Sequence, residues 1–354
     1  MTRSVQATEI WADARGIPDA IRDTVATAAG FDQVVACLRD AGTRRIVATG
    51  NGASYYVAMA LWLAALESKN PACEVVAVPG GLVAKGRFRW REGDALLAIS
   101  ASGEFRDVIE AIEDSSLPRP FVAVTATPES TIGRNADERA VIAVHRHKAV
   151  THTQAFCSAV AAVLAIWSRL SGDTGLAEQL AGAGAAAAGA VEAAESWIGE
   201  RGAEIATPTA SVAYGTGPAW AAAMEAALLI KEIARVPCEG SETREAATAA
   251  MTGLLPEHLV VGLPTAGDPF AAEAADICAK LGAAVIALPG GELADARLSA
   301  ITTFPAALAL AVELAVRRGY DPDSPEWLST YFETARRDGR PSPLSPAHGA
   351  ASQE

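Results

Sequence analysis

Short continuous apolar runs alternate with segments of helical spacing along most of the chain. "RIVATG" at 45–50, "CEVVAVPGG" at 73–81, "ALLAIS" at 95–100, "PFVAVTA" at 120–126 and "AVIAVHR" at 140–146 read as strands buried on both faces. "IPDAIRDTVATAAG" at 17–30, "SYYVAMALWLAALE" at 54–67 and "EFRDVIEAIED" at 104–114 carry apolar residues at helical spacing. Strands of this kind alternating with helices predict an α/β fold with a parallel sheet covered on both faces.

The pattern occurs twice. "SVAYGTGPAWAAAMEAALLIKE" at 211–232 echoes 45–67, and "LVVGLPTAGDPFAAEAADICAKLG" at 259–282 echoes 96–114. From Gly52 to Gly103 is 51 residues, and from Gly217 to Gly267 is 50. Two copies of one α/β unit are the simplest explanation. The predicted organisation is an N-terminal helical segment (1–37), a first doubly wound, flavodoxin-like subdomain (38–172), a helical connector (173–200), a second subdomain (201–335) and a disordered tail (336–354). The connector is rich in alanine, but its glycines argue against one rigid rod.

Composition narrows the class. The 354 residues are 50% hydrophobic, enough for a core in each of two subdomains, and the net charge of −13 argues against a nucleic-acid partner. Five scattered cysteines without a C-x-x-C pair suggest no disulfide framework, no zinc site and a cytoplasmic setting. Charge or glycine interrupts every apolar run well before a membrane span's length, so no membrane partner is expected.

Two features carry chemistry. Ser100, Ala101, Ser102 and Gly103 follow a strand and precede a helix, where backbone N–H groups, serine hydroxyls and the helix dipole can hold an anion. "GNGAS" at 50–54 offers a similar mouth one strand away through Gly52, Ala53 and Ser54. Either loop alone is also ordinary turn and cap chemistry. A dinucleotide fingerprint is disfavoured, because Val57 and Ala58 stand where its third glycine belongs. Separately, Glu225 and Glu232 lie two helical turns apart, and the apolar neighbours of Glu232 (Leu228, Leu229, Ile233) would raise its pKa toward that of a useful base. In the second copy the serine-rich turn is "PTAGDP", which suggests that the first copy keeps the anion site.

"GNGASYY", "ISASGEFRD", "VTHTQAFCSA" and "AMEAALLIKEIARVPCEG", with "EIWADARGIPDAI" before them and "GYDPDSPEWLS" after them, resemble the motifs of tandem sugar isomerase (SIS) domains in order and spacing. The nearest shape is the isomerase half of glucosamine-6-phosphate synthase and its deglycase and deaminase relatives. The resemblance implies two SIS-type subdomains in tandem and an aldose–ketose isomerase acting on a phosphorylated or otherwise anionic sugar. It makes Ser100, Ala101 and Ser102 the phosphate cradle, sets Ser54, Val150 and His152 against the sugar, and makes Glu232 the base that shuttles a proton between C1 and C2 through a cis-enediol. It implies no cofactor and no metal, and pairing of the chain as a homodimer. The absence of a glutaminase segment argues against glutamine-dependent amidotransfer.

The departures are specific. The family's phosphate-binding threonine is Phe105 here, with Arg106 beside it as a substitute contact. The ring-opening histidine falls at Thr248, a helix lysine at Leu229 and a C-terminal lysine near Thr330. That leaves His152 and its neighbour His147 as the histidines available for acid–base work, and it leaves a deglycase, a deaminase or a non-catalytic sugar-phosphate sensor as alternatives.

Overall fold

The computed structural model describes residues 4–113 and 117–336, and the chain divides into two compact units. Three helices open the chain, α1 (Glu9–Ala14), α2 (Ile17–Ala26) and α3 (Ala28–Asp40). They are followed by β1 (Arg45–Gly50), α4 (Ala53–Leu66), β2 (Glu74–Pro79), α5 (Gly80–Val83), β3 (Asp94–Ile99), α6 (Arg106–Ile112), β4 (Phe121–Thr125), α7 (Thr131–Asn135), β5 (Glu138–Val141) and α8 (Gln154–Ser171). The helix α9 (Thr174–Arg201) leads to β6 (Ser211–Gly215), α10 (Ala219–Ala234), β7 (Cys238–Glu242), α11 (Thr243–Thr248), β8 (Leu259–Gly262), α12 (Ala271–Lys280) and β9 (Ala284–Ala287). The helices α13 (Ser299–Thr302), α14 (Phe304–Arg317) and α15 (Leu328–Ala335) close the described chain.

The first-sheet unit comprises Asp19–Gly182 and, of the described residues that follow, 326–336. Its five strands are parallel in the order β2-β1-β3-β4-β5. Every residue of β1, β3 and β4 is buried, as expected of strands covered on both faces. The register of β1 against β3 is pinned at its start, where Arg45 and Asp94 face each other. The Arg45 guanidinium donates two hydrogen bonds, of 2.8 and 2.7 Å, to the buried Asp94 carboxylate. Removing one partner of such a buried pair costs about 3–5 kcal/mol.

The second-sheet unit comprises the chain up to Pro18 and Ala183–Pro325, with four parallel strands in the order β7-β6-β8-β9. This is the β2-β1-β3-β4 order of the first sheet, whose fifth strand β5 has no counterpart here among the described residues. The paired glycines agree in backbone as well: Gly52 and Gly217 have φ of 54° and 55°, and Gly103 and Gly267 have 64° and 78°. Both units are doubly wound and flavodoxin-like, with a switch point between the first and third strands where helices leave on opposite faces.

The five-segment linear division gives way to interlaced units. Helix α1 belongs to the second-sheet unit, because Trp11 and Arg15 donate to the Glu195 carboxylate and the amides of Glu9 and Ile10 donate to Asp323. Helix α15 belongs to the first-sheet unit through a backbone bridge between Phe105 and Arg336. Arg336, expected to begin a disordered tail, is therefore buried, and residues 337–354 lie outside the described residues.

Other expectations also shift. "AVIAVHR" is strand only in its first two residues, since β5 ends at Val141. Beyond it the Ala143 N–H donates to Thr24 Oγ1 and the Ala143 carbonyl accepts from Ser158, which draws the chain off the sheet. The connector is one 28-residue helix despite its glycines. Ala183, Ala187, Ala190 and Ala194 form a buried seam along it at helical spacing, and Ala propensity outweighs the glycines. Two helical stretches, Gln154–Ser171 and Ala296–Arg317, are long and apolar enough to cross a membrane, contrary to the reading of the sequence. They are 83% and 89% buried inside the protein, which accounts for their composition as core helices.

Candidate functional site

In the first-sheet unit two loops flank the β1/β3 switch point. After β1, Gly52 is exposed with a positive φ, and the amides of Gly52 and Ala53 donate to no protein group among the described residues. Ser54, half-buried, stands at the start of the 14-residue α4. After β3, the Ser100 hydroxyl is buried and accepts the Gly103 amide at 3.1 Å, which rounds the turn. The amides of Ala101 and Ser102 carry no protein partner among the described residues. The Ser102 hydroxyl accepts from the Glu104 amide at 3.4 Å and keeps its own proton for another acceptor. This loop therefore presents open N–H and O–H donors at residues 101 and 102, while its one carboxylate, Glu104, is engaged by the Thr131 amide.

Side chains that the sequence did not single out hold the loops in shape. Asn51 accepts the Gly80 amide at 2.8 Å and donates to Asp107, so one amide side chain ties the β1 loop to α5 and α6. Thr125 at the end of β4 donates to the Ala101 carbonyl at 3.1 Å. Glu104 accepts the Thr131 amide at 2.7 Å. Gly103 packs so tightly on Ser130 that a Cβ there would lie 1.8 Å from Ser130 Oγ. The presence of Gly103 is legible in the sequence; its contact with a residue 27 positions on is not.

The remaining expected site residues of this unit are placed as follows. Phe105 is half-buried and caps α6, and Arg106 directs its guanidinium to the Glu333 carbonyl of α15 at 3.4 Å. Val150 is buried in the segment between β5 and α8. In the same segment the rings of His147 and His152 stack with centroids 4.5 Å apart and planes 13° from parallel. The His152 Nδ1 is covered and has no hydrogen-bond partner. Burial, with the charge of His147 adding to it, pushes the His152 imidazole down to about 3. It is neutral at physiological pH, which removes it as a proton-donating imidazolium.

The second-sheet unit holds the glutamates. Glu225 is buried on α10 with its Oε2 unpartnered, and burial together with the nearby Glu232 holds its carboxyl well above the ordinary carboxylate range. Burial pushes Glu232 up to about 7, against the charge of Lys231, which pulls it down. Leu229 is fully buried in the core and Leu228 partly so, which supplies the apolar surroundings. Thr248 is exposed at the end of α11 and donates to the Arg244 carbonyl at 2.7 Å.

At the second switch point the chemistry differs. Asp268 accepts the amides of Phe270 and Ala271 at 2.9 and 3.2 Å, so a carboxylate of the chain itself takes the donors at the start of α12. Beside it is a cavity of about 630 Å³ lined by Tyr214, Gly262, Asp268 and the alanines of α12. The strand β7, "CEGSE", was not read as a strand at all; its polar, glycine-containing sequence suits an edge and carries no apolar signal.

Residues 38–169 match the family model of the SIS domain. The chain is 27% identical over 227 residues to a glutamine–fructose-6-phosphate aminotransferase (isomerizing) of Sulfolobus acidocaldarius, covering 63% of this chain. The match spans 37% of that relative's length. Among solved structures, the C-terminal domain of a glucosamine-fructose-6-phosphate aminotransferase from Francisella tularensis is 20% identical with a TM-score of 0.75, covering 88% of this chain and 97% of that one. A tagatose-6-phosphate ketose/aldose isomerase from Escherichia coli is 17% identical with a TM-score of 0.71, covering 89% and 95%. At these identities the structural likeness speaks for the fold.

Proposed function

For a chain whose residues 38–169 are a SIS domain, we propose an aldose–ketose isomerase acting on a sugar that ends in phosphate or a comparable anion. The open amides of Ala101 and Ser102, with the Ser100 and Ser102 hydroxyls, Gly52, Ala53 and Ser54, bind the anion and the adjoining sugar oxygens. Glu232 takes the proton from C2 of the aldose or C1 of the ketose and returns it to the neighbouring carbon through a cis-enediol, so that nothing is gained or lost overall. The names of the relatives, both aminotransferase and isomerase, support a phosphosugar substrate.

The observation that carries this reading is the place of Glu232 on α10, half-buried beside Leu228, Leu229 and Ile233, a setting that raises its carboxyl to about 7. A carboxyl near 7 is half ionised at neutral pH and strong enough as a base to remove a proton from carbon next to a carbonyl. As a neutral imidazole, His152 serves as a hydrogen-bond donor to a sugar oxygen, a role that needs no imidazolium. With leucine at position 229 and threonine at 248, an open-chain substrate needs no help with ring opening. The chain works as a homodimer, to be checked by light scattering at micromolar concentration.

The test is incubation with a panel of hexose and pentose phosphates, amino sugars and sulfonated sugars in deuterated water, followed by NMR. Deuterium entering C1 or C2 is expected, together with a loss of about a thousandfold in its rate of entry for Glu232→Gln while binding persists. Release of ammonia from an amino sugar would turn the reading to a deaminase. Binding without exchange anywhere in the panel would turn it to a sensor.

A further inference from the structure

We propose that the second-sheet unit carries a separate binding site for a small phosphate-bearing anion, in the cavity at the N-terminal edge of its sheet where β6 and β7 begin. The cavity has a volume of about 430 Å³ and is lined by Ser211, Lys231, Cys238, Glu239 and His258 among others. That is the size of a small-ligand site, and it lies at the opposite end of the strands from the β6/β8 switch point.

Three residues with hydrogen-bond donors line it. Ser211 is 4% exposed, and its hydroxyl is covered without any hydrogen-bond partner, an arrangement that costs stability unless something accepts from it. Lys231 makes no ion pair or hydrogen bond among the described residues. His258 accepts the Leu255 amide on Nδ1 at 3.3 Å, which leaves its ring proton on Nε2. A hydroxyl, an ammonium and an imidazole N–H are the donor set of a tetrahedral oxyanion site. The Cys238 thiol, which burial pushes up to about 12, brings no charge. Glu239 also lines the cavity; it is exposed, and its carboxylate offsets part of the Lys231 field, so affinity near the millimolar range is expected.

The site has a regulatory consequence that rests on the function proposed above. Lys231 is the residue next to Glu232, and its charge holds the Glu232 carboxyl below the value that burial alone would set. An anion seated on Lys231 cancels that pull, raises the pKa of Glu232 and leaves less of the base ionised at neutral pH.

The experiment is NMR of the full chain labelled with [15N]histidine, titrated with inorganic phosphate and, separately, with a hexose monophosphate. The His258 signal is assigned by its loss in His258→Gln. Its ring resonances are expected to shift in a saturable way with either probe. Lys231→Met, at an exposed position, should weaken that response about tenfold, as removal of one charge-assisted contact does. Ser102→Ala should leave it unchanged. No shift at tens of millimolar phosphate, or a shift that survives Lys231→Met intact, overturns the site. A shift abolished by Ser102→Ala would belong to the first-sheet loop, which ends this proposal and leaves the isomerase reading standing.

Discussion

Counting from the paired Gly103 and Gly267, each loop has a carboxylate next in the chain: after β3 Glu104 turns to the distant amide of Thr131, whereas after β8 Asp268 turns back onto the amides of Phe270 and Ala271 at the start of its own helix. The strands beneath the two loops are arranged alike, and the glycines that shape the loops share the same backbone hand. What separates them is where the loop's own carboxylate is directed. In the first loop the carboxylate is spent elsewhere and α6 starts without a side-chain cap; in the second it caps α12 itself. A switch point is thus a place where a site can be built, and a single carboxylate decides whether an anion is wanted there.

The comparison can be broken most directly by placing a second carboxylate among the open donors of the first loop. Ser102→Asp should weaken binding of a sugar phosphate by about a hundredfold or more, since like charges brought together cost several kcal/mol. Calorimetry showing unchanged affinity would mean that the β3 loop is not the anion site. A smaller effect is expected from the paired glycines. Gly103→Ala combines a positive φ with a clash on Ser130 and should cost about 2–4 kcal/mol. Gly267→Ala shares the backbone strain but meets nothing within 4 Å, and should cost about 1–2 kcal/mol. Urea unfolding of both variants checks the difference; equal losses would deny that the first loop is the more tightly built.

The smallest effect concerns the glutamates of α10. The folded-state pKa of Glu225 lies above its unfolded value, so the folded protein holds the proton more firmly than the unfolded chain does. The contribution of this group to stability is complete below the ordinary value of 4.5 and falls as pH rises toward the folded pKa. Glu225→Gln should therefore raise the melting temperature by about 2–4 °C for each kcal/mol recovered at pH 8, and give no such gain at pH 4. A scan of melting temperature against pH for both proteins decides it.

Much of this was legible in the residues themselves. "RIVATG" is β1 to the residue, and the two glycine spacings anticipated the matching loops, because buried strands and tight turns leave local marks. The partial burial of Glu232 followed from its apolar neighbours on one helix. What stayed hidden depended on partners distant in the chain. Asn51 reads as a turn residue until Gly80 and Asp107 are found on either side of it. His152 reads as a titrating imidazole until it is found covered and stacked on His147. The unbroken length of α9 rests on a buried alanine seam whose partner surface no local pattern announces.

The pairing of Phe105 with Arg336 has an implication for how the protein is made. The bridge partner of Phe105, at the far end of the β3 loop, leaves the ribosome more than 200 positions later. A nascent chain can assemble the first sheet early, but residue 105 lacks its bridge until residue 336 has emerged. A stop codon placed just before α15 would spare all nine described strands and still release a protein whose β3 loop has lost the contacts of Phe105 with Arg336 and of Arg106 with Glu333.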